Sequence, residues 1–161
     1  DNGGLYYALA DGSSIVCAAY GLTKPNGVGL SPDGSTVYVA ETSVGRVWKW
    51  EIESPGVVRR GTTPLAHGTL LYGFEGYQML DSLAVDGDGN VCVATLVTGA
   101  ISVISPKGEL LDQVHVPKWD AYVTNVCFGG PDLKTAYVTS SGWGLLYEIP
   151  WDRPGLRLNY Q

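Results

Sequence analysis

At 161 residues, 45% hydrophobic and only 16% charged, the chain is long enough to bury a core and too apolar to be disordered. Its formal net charge of −6 argues against nucleic acid or an anionic membrane as a partner, and no apolar run reaches the roughly 18 residues of a membrane span. Twenty-two glycines and nine prolines, without a low-complexity tract, predict many tight turns and a β-rich fold.

The first predicted element is a strand opening on glycine, GGLYYA from Gly3. Then comes a unit that recurs twice: PNGVGLSPDGSTVYVAE (Pro25–Glu41), LDSLAVDGDGNVCVAT (Leu80–Thr95) and VTNVCFGGPDLKTAYVTS (Val123–Ser140). Each has a polar residue, a short apolar run, a turn rich in Gly, Asp or Pro, and a second apolar strand. A third strand follows each unit and again opens on glycine, at Gly45 (GRVWKW), Gly99 (GAISVI) and Gly144 (GLLYEI). The turns SPDGST and DGDGN place Gly34 and Gly89 where positive φ is needed. With a more variable outer strand, each unit makes a four-stranded antiparallel blade.

Asn26, Asp81 and Thr124 hold the same slot in the three units and lie 55 and 43 residues apart. A period of about 50 residues containing four strands is the signature of a β-propeller. The expected fold is therefore all-β, one partial propeller domain over residues 1–161 with about three blades. Residues 1–22 read as the end of one blade, and 23–78, 79–121 and 122–161 as successive repeats. Because a propeller has about four to eight blades, the folded object is expected to contain more, either an N-terminal half or a second copy. Asp1 reads as a processed, trimmed or mid-gene start.

The innermost strands of a propeller line its channel, so Asn26, Asp81 and Thr124 converge near the axis. Two readings stay open from the residues alone. Asn and Asp cap turns before strands, or their oxygens hold a hard divalent cation. Glu41, at the end of a second strand, is read as a structural hydrogen-bond acceptor. Trp48, Trp50 and Trp143 are read as packing between blades; Cys17, Cys92 and Cys127 are an odd set without a CxxC pair, and Cys92 and Cys127, inside apolar strand runs, are read as buried structural thiols of a reducing, cytoplasmic protein. His67 and His115 have no suggestive partner, and no GxSxG, P-loop or HExxH motif occurs.

The units PNGVGLSPDGSTVYVAET, LDSLAVDGDGNVCVAT and TNVCFGGPDLKTAYVTS resemble the senescence-marker-protein, gluconolactonase and luciferin-regenerating-enzyme family of six-bladed propellers. The resemblance runs from about Leu5 to Tyr147 and matches the C-terminal half of that family. It implies hydrolysis of sugar lactones at one divalent metal, calcium first, with zinc, magnesium and manganese open. It assigns Asn26 and Asp81 as ligands, although Leu80 and Ser82 replace the usual Pro and Gly, and it leaves the first-blade Glu ligand without a counterpart. Asp81 is then the expected general base, and Thr124 and Asn125 the expected lining of the substrate channel. Two alternatives remain: a calcium-dependent organophosphate or aryl-ester hydrolase on the same frame, and a non-catalytic incomplete propeller acting as an interaction module.

Overall fold

The structure, a computed structural model, describes residues 2–61 and 68–159. Among them are fourteen strands in four sheets and no helix. The first sheet pairs β1 (Asn2–Ala8) with β2 (Ile15–Thr23). The second runs β3 (Pro25–Leu30), β4 (Thr36–Glu41), β5 (Arg46–Ser54), with β6 (Val57–Val58) and β7 (Thr69–Gly73) both pairing the outer side of β5. The third is a four-stranded meander of β8 (Leu80–Val85), β9 (Val91–Thr95), β10 (Ala100–Ile104) and β11 (Leu110–His115). The fourth holds β12 (Val123–Gly129), β13 (Thr135–Ser140) and β14 (Leu145–Pro150).

Every pairing is antiparallel and every sheet is read in chain order from inside outward, the arrangement of propeller blades. Three apolar interfaces hold the four sheets face to face. Leu22 meets Val37, Val39 and Trp50; Tyr38, Ala40 and Val47 meet Leu83, Val91 and Val93; Ile101 and Val103 meet Val126, Phe128 and Val138. The central sheet is covered on both faces, so β9 and β10 are buried at every residue and their sequences, VCVAT and AISVI, run apolar without alternating. Each such Val or Ile contributes roughly 1.5–3 kcal/mol by leaving water.

The glycine that opens each third strand has a positive φ: 59° at Gly45, 73° at Gly99 and 64° at Gly144. The tight turn between second and third strands needs the left-handed region, which a side chain with a Cβ disfavours. The hairpin glycines Gly34 (69°) and Gly89 (83°) adopt the conformation expected of them.

Two expectations about individual side chains are corrected. Only Cys92 is a buried thiol; Cys17 and Cys127 are exposed. On β12 burial alternates, with Val126 and Phe128 turned into the core and Asn125 and Cys127 away from it, so an apolar sequence run was not a run of buried positions. Trp50 is buried between sheets, but Trp143 is 52% exposed at a turn. His67 lies outside the described residues.

Candidate metal and substrate site

All three inner strands begin with the same irregularity. Pairing jumps from Pro25↔Glu41 to Val28↔Val39, from Leu80↔Thr95 to Leu83↔Val93, and from Val123↔Ser140 to Asn125↔Thr139. In each case one extra residue is inserted on the inner strand, a β-bulge that re-aims the side chains it contains. The bulges fall on Asn26–Gly27, Asp81–Ser82 and Thr124. The slot identified by its polar residue is thus also a slot of special backbone geometry.

The first two bulges touch. A Cβ built on Gly27 would lie 2.7 Å from the backbone nitrogen of Leu83 and 2.8 Å from the carbonyl oxygen of Asp81. Gly27 therefore lets β3 approach β8 beside Asp81, and Asn26 stands next to that contact. Asn26 is exposed and Asp81 half-buried, and neither side chain makes a hydrogen bond to another described residue. Thr124 differs. Its Oγ1 is hydrogen-bonded to Thr139 Oγ1 at 2.9 Å and to Ser141 Oγ at 2.7 Å. Asn125 is exposed, and its Oδ1 accepts the Val126 N–H at 2.8 Å, leaving its amide N–H groups for other acceptors.

In each of the three sheets with a bulged inner strand, a buried polar side chain ties the incoming loop to the sheet's own strands. Glu41 accepts from the Thr23 N–H at 2.5 Å and from Trp48 Nε1 at 2.6 Å, the structural role expected of it. Gln78 accepts from the backbone of Met79 and Val97 and donates to Thr98 Oγ1. Asp120 accepts from Ser140 Oγ at 2.5 Å and from the backbone of Tyr122 at 2.8 Å, with Gly142 and Trp143 N–H groups also turned to it. Burial opposes ionisation of Asp120, but these donors outweigh it and hold the carboxyl below its usual range. Sequence reading missed Gln78 and Asp120. They stand before an inner strand, whereas Glu41 follows a second strand, so one function is distributed over two sequence positions.

The opposite end of the inner strands is closed differently. After β14 the chain crosses below β8, where Gly87 N–H donates to Pro154 and Leu156 N–H to Val85. Arg153 Nε reaches Asp86, a fully buried carboxylate that also accepts from Asp88, Asn90 N–H and Asn90 Nδ2. Leu83, Val126, Phe128, Leu156 and Leu158 line the space above this strap. The space itself is lined mainly by apolar side chains, with the charged pair buried beside it.

Asn26 and Asp81 offer an amide and a carboxylate from neighbouring inner strands, hard oxygen donors without a side-chain hydrogen bond among the described residues, which is what a calcium- or magnesium-type cation takes. Among the described residues no group of three or more His, Cys, Asp or Glu side chains is placed to hold a metal. The two residues therefore fit part of a coordination shell.

A family model described as the SMP-30/gluconolactonase/LRE-like region matches residues 1–142. Lactonase drp35 of Staphylococcus saprophyticus is 33% identical over 118 residues, covering 73% of this chain and 35% of the relative. The chain thus spans about a third of the length of the curated relatives it matches. A solved luciferin-regenerating enzyme superposes with a TM-score of 0.76 at 27% identity, over 96% of this chain and 55% of that one. A calcium-binding protein, regucalcin, from Agrobacterium tumefaciens shares the fold with a TM-score of 0.73 at 22% identity, over 96% of this chain and 56% of its own.

Proposed function

The chain belongs to the SMP-30/gluconolactonase/LRE-like family, and from that premise we propose that it supplies the Asn26–Asp81 share of a divalent-metal centre that hydrolyses sugar lactones. The observation that carries the reading is that two hard oxygen donors stand at the bulges of two inner strands that meet at Gly27, neither side chain hydrogen-bonded to another described residue. Calcium is the first choice of metal. The remaining ligands would come from outside this chain, from a complementary half or a second copy.

A divalent cation, when bound, supplies Lewis acidity that polarises the lactone carbonyl. Asn26 holds and orients through its amide oxygen and exchanges no proton. Asp81 accepts a proton from the attacking water as that oxygen bonds to the acyl carbon. The ring C–O bond then breaks, and the same proton passes to the departing alkoxide, giving the hydroxy acid. Asn125, with amide N–H groups to donate, stands one residue from the third bulge and faces the substrate's oxygens. Thr124, held by Thr139 and Ser141, forms wall rather than ligand.

Calcium titration by calorimetry tests the ligand assignment. Asn26→Ala and Asp81→Asn are each expected to weaken binding about tenfold or more, since affinity follows the number and charge of oxygen ligands. Unchanged affinity in both variants would remove the assignment.

A further inference from the structure

The end of the molecule that bears Asn26 and Asp81 also bears four of its most exposed aromatic side chains. Tyr77 is 76% exposed, Trp119 64%, Tyr122 60% and Trp143 52%. All stand on loops that feed the inner strands or on the turn between β13 and β14. Of the five tryptophans, Trp50 and Trp151 are buried and Trp48 is half-buried; the two that reach solvent both stand at this end.

These two rings are held rather than loose. Trp143 Nε1 donates to the Trp119 carbonyl at 3.0 Å, and Lys118 Nζ lies 3.2 Å from the centre of the Trp143 ring. The Trp119 indole rests on Gly99, where a Cβ would come within 3.1 Å of its Cδ1 and 3.2 Å of its Nε1. The turn that carries Trp143 is pinned from below by Asp120. It is also continuous with the site: Ser141, two residues earlier, hydrogen-bonds Thr124, the counterpart of Asn26 and Asp81 on the third inner strand. Lys118 covers one face of the Trp143 ring, yet half the residue stays open to solvent. Two exposed indoles fixed before any ligand arrives keep a large apolar area in water, a cost that a bound ring relieves.

We propose that Trp119 and Trp143, braced by Lys118, form a stacking wall for the ring of a cyclic sugar lactone. The C–H face of the ring packs on indole, and lactones without such a face are held less well. Its place beside Asp81 rests on the lactonase reading, but ring binding can be tested without hydrolysis.

The probe is 1,5-anhydro-D-glucitol, a six-membered sugar ring with no ester to cleave, titrated into the chain while tryptophan emission is followed. A saturable change is expected. Affinity is expected to fall about two- to tenfold in Trp143→Ala and in Trp119→Ala, the other indole serving as reporter in each, and to recover in Trp143→Phe. That pattern supports the wall whether or not the protein hydrolyses lactones. The absence of a saturable change in the native chain, or alanine variants that bind as tightly as it does, overturns the wall even if lactones are hydrolysed.

Discussion

Gly27 lies against Asp81 so closely that a single added methyl would stand 2.8 Å from the Asp81 carbonyl oxygen. The contact joins the first two inner strands at their bulges and sets Asn26 beside its proposed partner. Gly27→Ala must push the strands apart or distort a bulge. Overpacking of this kind costs about 1–3 kcal/mol. The urea midpoint of the variant is expected to fall accordingly, and an unchanged midpoint would mean that the strands are free to separate.

At the far end, Asp86 and Arg153 form an ion pair at 2.9 Å between the β8–β9 turn and the segment after β14. The Arg153 side chain is 30% exposed and that of Asp86 fully buried, so the two substitutions are not equivalent. Arg153→Ala leaves Asp86 with the Asn90 amide and two backbone donors, and is expected to cost about 1–3 kcal/mol. Asp86→Ala strands all of these donors and the guanidinium, toward the 3–5 kcal/mol of a broken buried pair. Thermal melts that rank the two variants in the opposite order would contradict this account.

Acid stability is linked to Asp120. Its folded pKa is lowered from 3.8, so the stabilisation it gives is present above that value and is lost as pH falls below it. Asp33 is held down to about 2 by Ser31 and by the backbone and side chain of Ser35, and an NMR titration should find its midpoint there. In Asp120→Asn the native protein should lose stability at neutral pH and show a shallower decline below pH 3.8 than the native chain. Parallel acid profiles for the two proteins would show that Asp120 is not linked to folding.

Thiol accessibility separates the three cysteines. Burial raises the Cys92 thiol well above its ordinary range, whereas Cys17 and Cys127 face solvent. Brief treatment with iodoacetamide should add two carboxamidomethyl groups to the folded chain, with Cys92 joining only after denaturation. Early labelling of Cys92 would contradict the packing of β9.

Much of the fold was legible because the repeat pins each strand to a turn chemistry. The glycines opening the third strands and the SPDG and DGDGN hairpins adopt the conformations that their sequence positions require. The bulges were not legible. An inserted residue breaks alternation by only one position, and Asn26-Gly27 or Asp81-Ser82 looks the same with or without it. Cys127 and Trp143 were misread for one reason: residue type reports what a position tolerates, while exposure depends on which face a neighbouring sheet covers. The buried knot at Asp120 was hidden because the second sheet carries its acidic residue after a second strand, at Glu41, and the fourth before an inner strand.

The most direct test of the proposed centre is the initial rate of glucono-δ-lactone hydrolysis in the presence of calcium. The native protein, Asp81→Asn and, as a control in an exposed turn at the far end, Asp33→Asn should be compared. A loss of about a hundredfold or more is expected in Asp81→Asn, the scale of a removed general base, with Asp33→Asn at the native rate. An Asp81→Asn protein that hydrolyses the lactone as fast as the native one would contradict the general-base role.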